Sequence, residues 1–194
     1  MPVSYVGPSL EVDPAHDIFR LASSVYSTTT LLPASTLSSW YKRNQEVFWI
    51  ARDGDELIAY MTMLPLSQEA FAATLEPQFD ERRLSASDVL CYSNDGNYFG
   101  FVSSIVVHPD YRGSGVSRQL RAYFLNTLLN WWGCGRRIVR ISAEALNDRG
   151  ASMMKSLGLN EHVRSDHGSI ILSATCNDKT LRRCRDTILE KMDN

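Results

Sequence analysis

Apolar positions along the chain change period several times, and each change marks an element. Over residues 14–26, Ala15, Ile18, Phe19, Leu21, Ala22 and Val25 recur at spacings of three and four, which predicts a helix. Asp13 before Pro14 supplies a helix start, with proline at the first helical position. Residues 3–6 read as a short strand and 35–42 as a second helix. The runs 47–52 and 56–64 are apolar and partly β-branched, and Asp53-Gly54-Asp55 between them signals a β-hairpin. Residues 98–107 form a long apolar strand. A helix over 115–132 follows, with Leu120, Phe124, Leu128 and Trp131 on one face, closing at Gly133. Next come a strand over 137–143, a helix over 148–157 stopped at Gly158, a hairpin within 163–175 turning near Asp166-His167-Gly168, and a last helix over 181–192.

Residues 65–96 are less regular. A helix is expected over 67–75, then a polar stretch through Arg83, then a strand or loop over 88–92. Connections this long between strands are uncommon and often functional. With no repeat and no low-complexity tract, residues 1–194 are expected to form one mixed α/β domain. Residues 65–96 are then a long insertion between strands, and 176–194 a C-terminal helical extension.

Composition narrows the class without naming a function. The chain has 194 residues, 44% hydrophobic and 22% charged, with a formal net charge of −2. These values are ordinary for a globular protein and give no case for nucleic-acid or membrane partners. No stretch approaches the ~18 apolar residues of a membrane span, and Met1 to Leu10 lacks a signal-peptide pattern, so a cytoplasmic location is expected. Cys91, Cys134, Cys176 and Cys184 are scattered, without the spacing of a zinc site, and read as reduced thiols. Arg182, Arg183 and Arg185 alternate with Asp178, Asp186 and Glu190 and read as a solvated helix face.

The most specific run is Val107-His108-Pro109-Asp110-Tyr111-Arg112-Gly113-Ser114-Gly115-Val116-Ser117. A strand feeding a glycine-rich turn that opens a helix presents free N–H groups and the positive end of a helix dipole to an anion. It is also an ordinary strand–turn–helix junction. Gly-x4-Gly-Lys-Ser/Thr and Gly-x-Gly-x-x-Gly are both missing, which argues against a nucleotide P-loop and a dinucleotide fold.

Arg112-x-x-Gly115-x-Ser117 after Pro109 resembles the acyl-CoA-binding motif of the GCN5-related N-acetyltransferase (GNAT) family, with Ser117 in place of the usual glycine or alanine. A second block fits the same family: the strand 138–143, Asn147, Ala151 and Lys155-Ser156-Leu157-Gly158-Leu159. Together the blocks span residues 97–159. The resemblance implies a mixed, mostly antiparallel twisted sheet with helices on both faces and splayed central strands. It implies acetyl-CoA as cosubstrate, no metal, and direct attack by a primary amine of a small molecule or peptide. The amides of Gly113, Ser114, Gly115, Val116 and Ser117 would hold the pyrophosphate, with Arg112 adding charge. Arg118 would reach a phosphate or lie solvated. The main chain of Ile105, Val106 and Val107 would bind the pantetheine and the oxyanion. Asn147 would contact the pantetheine or cap the next helix. Residues 65–96 would be a packed surface insertion or a wall of the acceptor site.

The resemblance breaks at proton transfer. Aligning Asn147 and Gly158 puts Met154 where many members carry a tyrosine acid, and a thioether donates no proton. The strand 98–107 lacks the acidic base common in the family and offers Ser103 and Ser104. Glu144, Tyr98 and His108 are further candidates. Trp131 and Trp132 read as packing, with an adenine contact as the other reading. The late strand and last helix offer surfaces for a homodimer. Two alternatives stay open: a non-catalytic acyl-CoA-binding or regulatory module, and a partner-binding domain without cofactor.

Overall fold

The protein is described here from a computed structural model, which covers residues 2–27, 30–93 and 95–191. Its strands are β1 (Ser4–Val6), β2 (Phe48–Asp53), β3 (Glu56–Leu66), β4 (Gly96–Val107), β5 (Arg136–Ala145), β6 (Asn160–Arg164) and β7 (Ile170–Thr175). Its helices are α1 (Ala15–Ser23), α2 (Ala34–Arg43), α3 (Gln68–Ala73), α4 (Val116–Gly133), α5 (Asp148–Ser156) and α6 (Asp178–Glu190). The strands form one sheet in the order β1-β2-β3-β4-β5-β7-β6. Only β4 and β5 run parallel; every other neighbouring pair is antiparallel. The mixed, mostly antiparallel sheet expected from the sequence is the one observed. Among the described residues no helix is long and apolar enough to cross a membrane.

Both faces of the sheet are covered, which is why β2 and β3 read as continuous apolar runs rather than alternating ones. Trp49 and Ala51 join Met61, Met63, Phe124, Leu128 and Leu181 under α4, α5 and α6. Their neighbours Phe48 and Ile50 point the other way, into a second core with Ile18, Leu37, Trp40 and Phe71 from α1, α2 and α3.

The sheet opens in the middle. Pairing of β4 with β5 ends at Val102 and Ala143, yet β4 runs on to Val107. At the same level β4 bulges against β3: Thr62 faces Ser104 and Met63 faces Val102, leaving Ser103 as the extra residue. Beyond the bulge β4 stays paired to β3, while Glu144 and Ala145 of β5 pair with β7. The β4 edge that faced β5 is therefore bare from Ser103 onward. These are the splayed central strands of the sequence reading.

The segment joining β3 to β4 is tied down along its length. Ser67 caps α3 through the Ala70 amide at 3.1 Å. The buried Thr74 and Ser142 hydroxyls meet at 2.6 Å, fixing the end of α3 to β5. Phe71 packs on Phe99, and Phe79 packs edge-on against Phe101, each pair with centroids 5.2 Å apart. Residues 88–92 hold no strand, only a single bridge between Val89 and Leu66.

Several expected boundaries move. Pro14 precedes α1, and the Asp13 carboxylate accepts from the Ala15 amide at 2.9 Å. Asp53 pairs with Glu56, so the hairpin loop is Gly54-Asp55, with Gly54 at φ 59°. Gly133 is the last residue of α4, and the left-handed residue is Gly135 at φ 92°. The expected end of the last helix at Met192 lies outside the described residues. Thr74→Val should leave the Ser142 hydroxyl without this partner and lower the unfolding free energy by about 1–3 kcal/mol, read by urea denaturation.

Candidate active site

A cavity of about 1060 Å³ runs through the opening between β4 and β5. One end is the turn between β4 and α4. His108, Pro109, Asp110 and Tyr111 make a tight 3-10 turn in which His108 Nδ1 accepts from the Asp110 amide at 3.3 Å. His108 is thus a turn residue and does not line the cavity. The Tyr111 hydroxyl donates to Asp53 at 2.7 Å, pinning the turn to the β2–β3 hairpin.

Gly113 and Gly115 have φ of 86° and 90°, a conformation side chains rarely adopt. A Cβ on either would meet no atom within 4 Å, so open space lies in front of both. Gly115 O accepts from Arg118 and Gln119 at 2.9 and 3.0 Å. The Ser114 amide is taken by Tyr111 O at 3.3 Å, and its hydroxyl by the same carbonyl, which removes Ser114 from the expected anion-binding set. Among the described residues the amides of Gly113, Gly115, Val116 and Ser117 have no protein acceptor. The Val116 side chain is buried in the core, so only its amide is offered.

Four arginines, Arg112, Arg118, Arg121 and Arg149, line this end, and none forms an ion pair among the described residues. Arg118 donates to Lys191 O, just beyond α6. Arg121 is 8% exposed; it donates to Ser117 O at 3.1 Å and to the Ser156 hydroxyl. Burial, and then the charge of Arg118, push its pKa down. Arg121 was missed in the sequence because it sits among the apolar residues of α4. Its position one turn after Ser117, on the same helix face, was the available signal. Asn147 caps α5, its Oδ1 accepting from the Gly150 amide at 2.9 Å, and also lines the cavity.

The middle of the cavity is the bare β4 edge, with Ile105, Val106 and Val107 lining it. Met153 and Met154 of α5 close the opposite side, Met154 being only 5% exposed. Trp131 and Trp132 lie elsewhere. They are some 24 Å along α4 from its start, where Trp131 packs on Trp49 and Arg136 and Trp132 lies beneath Arg137. An adenine contact is out of their reach. Tyr98 is likewise at the wrong end of β4, about 16 Å from Ser103. Its hydroxyl accepts from the Ser93 amide at 2.7 Å and its ring packs on Tyr92. It does not line the cavity, and its role there is packing.

The far end is acidic. Glu144, on β5 past the point of divergence, accepts from the Ser169 hydroxyl. Ser103 and Ser104 of β4 face the same space; Ser104 donates to Thr62 at 3.4 Å. Opposite them stands Glu81, from the segment between β3 and β4, with Tyr26 and Tyr60 beside it. Burial pushes the Glu81 carboxyl up to about 8, opposed by a hydrogen bond from Ser103 and reinforced by the charges of Glu144 and Asp80. Burial and the Glu81 charge push Tyr26 up to about 12, and burial raises Tyr60 further. Sequence reading missed Glu81: nothing in Asp80-Glu81-Arg82-Arg83 tells the inward carboxylate from its solvated neighbours. Among the described residues no group of three or more His, Cys, Asp and Glu is placed to hold a metal.

A carboxyl whose folded pKa exceeds its unfolded value of about 4.3 stabilises the folded state only while protonated. That stability fades as pH rises through the window up to about 8. Glu81→Gln should therefore melt together with the parent protein near pH 4 and several degrees above it at pH 8.5, measured by calorimetry.

The fold is shared widely among solved structures. The chain is similar to the NatC complex bound to Gag peptide and CoA, with 14% identity, TM-score 0.59, and 91% of this chain and 100% of that one covered. It is similar to the ribosomal-protein-S18-alanine N-acetyltransferase from Escherichia coli, at 15% identity, TM-score 0.56 and coverage of 90% and 94%. The loading GNATL domain of CurA from Lyngbya majuscula superposes with TM-score 0.65 at 9% identity, covering 90% and 98%. No curated protein sequence matches the chain significantly. The sequence profile of the acetyltransferase (GNAT) family matches residues 14–159, three quarters of the length and the part that builds the divergent strands and the glycine turn. The chain belongs to the GNAT acetyltransferase family, whose chemistry is acyl transfer.

Proposed function

We propose that the protein is an N-acyltransferase that carries an acetyl group from acetyl-CoA to a primary amine of a small molecule or peptide. The observation that carries this reading is the charge layout within one cavity: arginines and amides without a protein acceptor among the described residues at one end, carboxylates at the other, and a bare strand edge between them.

The diphosphate would lie on the amides of Gly113, Gly115, Val116 and Ser117, where the dipole of the 18-residue helix α4 favours negative charge. Arg112, Arg118 and Arg121 would balance the remaining phosphate charge; the Arg118 bond to Lys191 O is exposed and exchangeable. The amide-bearing arm would extend along the β4 edge from Val107 to Ile105, and Asn147 would fix α5 beside it. An acyl carbonyl brought to the Ser103 bulge would meet backbone groups released from strand pairing. A main-chain N–H there would stabilise the oxyanion formed when the amine attacks. No protein nucleophile is required.

Met154 favours a second reading, a binding module without turnover, because it fills the position of the family's usual proton donor. The two readings part on CoA release. Release of CoA from acetyl-CoA on addition of amines supports the transferase, and binding without release across an amine panel supports the module. In either case acetyl-CoA should raise the melting temperature of the parent protein, because a ligand bound only by the native state stabilises it. Gly115→Glu should abolish that rise, since it puts bulk and negative charge into the open cradle; an undiminished rise would remove the glycine turn from the site.

A further inference from the structure

The segment between β3 and β4 brings to the acceptor end a carboxylate that no strand supplies. Glu81 opens a one-turn 3-10 helix, Glu81–Arg83, capped by Asp80, which accepts from the Arg82 amide at 3.0 Å. Phe79 on Phe101 and Pro77 O, which accepts from the Asp166 amide at 2.9 Å, hold the turn over the bulge. Glu81 there meets Ser103, the extra residue of β4, and faces Glu144 across the cavity. Glu81 Oε1 is buried and has no hydrogen-bond partner among the described residues. A buried carboxylate oxygen without a donor is costly, and a bound ammonium would satisfy it. Val25, Leu31 and Leu37 add apolar surface to the wall of this end.

We propose that Glu81 is the general base of the reaction, and that Glu81 and Glu144 together select an acceptor that arrives as an ammonium ion on an apolar body, with no carboxylate beside its nitrogen. This rests on the acyl-transfer reading above. The ammonium gives one proton to Glu81, and the freed nitrogen pair forms the C–N bond with the acyl carbon. The C–S bond breaks with its electrons on sulfur. The second nitrogen proton, lost as the adduct collapses, ends on that sulfur, so CoA leaves as the thiol. Once Glu81 has given up its proton, a free α-amino acid would bring a third negative charge beside two carboxylates, where like charges repel strongly. Glu81 is faced by Glu144 from β5, Tyr60 from β3 and Tyr26 from beyond α1, with Asp80 beside it. Arg82 pairs with Asp80, and His167 lies on the β6–β7 turn at the same cavity. The environment keeps Glu81 protonated below pH about 8, so base catalysis should grow up to that pH and level off above it.

The test measures CoA release from acetyl-CoA with n-butylamine, leucinamide, free leucine and aniline, for the parent protein and Glu81→Gln, between pH 6 and 9.5. Expected are turnover with n-butylamine or leucinamide, and kcat/KM for leucine lower than for leucinamide by at least about tenfold. Glu81→Gln should lower kcat by about 100-fold, leave the KM for acetyl-CoA unchanged and abolish the rise towards pH 8. A variant that keeps the rate or the rise overturns the base assignment. Turnover of leucine equal to leucinamide, or of aniline alone, overturns the acceptor assignment and leaves acyl transfer standing. Acetyl-CoA binding without CoA release for any amine overturns acyl transfer itself, and with it this inference.

Discussion

Everything distinctive about this site follows from one constraint on the backbone: β4 cannot stay paired on both sides past Val102. The extra residue at Ser103 turns the strand against β3, while the last two residues of β5 keep only their pairing with β7. A sheet interior normally has no unpaired main-chain groups, since each one left buried costs free energy. Here the divergence leaves a strand edge facing a cavity, where a ligand rich in amides can take the place of the missing neighbour. The same divergence sets where α4 and α5 begin, because each follows the C-terminal end of one of the separating strands.

The cavity is polarised along its length. At the α4 end, arginines with no carboxylate partner among the described residues surround amides with no protein acceptor among them. At the other end two carboxylates share a space with two tyrosines whose ionisation is suppressed. On the acyl-transfer reading proposed above, opposite charges at opposite ends would orient a long anionic ligand and leave a cationic partner the other end to approach.

Much of the architecture was legible because its signals are local. The 3.6-residue spacing in α1 and α4, the run Arg112 to Ser117 and the strand–Asn147–helix block each depend on neighbours in sequence. What escaped depended on the third dimension. Tyr98 and Ser103 sit on the same strand and look equally suitable on paper, yet only one lies beyond the bulge. Ser114 belongs to the glycine motif, but its amide turns back to Tyr111. Arg121 resembles a stray charge on a buried helix and Glu81 a solvated one in a charged run. Both face inward because of packing contacts made far away in sequence, such as Phe79 on Phe101. Of the strand or loop expected over 88–92, the loop is observed, with one bridge at Val89 because only one residue pair comes into register there.

The fastening of the segment between β3 and β4 has an evolutionary consequence. Its anchors are discrete and include the cap at Ser67, the hydroxyl contact of Thr74 with Ser142, two aromatic stacks, the Asp166 amide on Pro77 O and the bridge at Val89. None of them touches the glycine turn or the arginines. If the segment sets the acceptor as proposed, it is a cassette on a separate chassis, and a descendant could exchange it while keeping the glycine turn and its arginines intact.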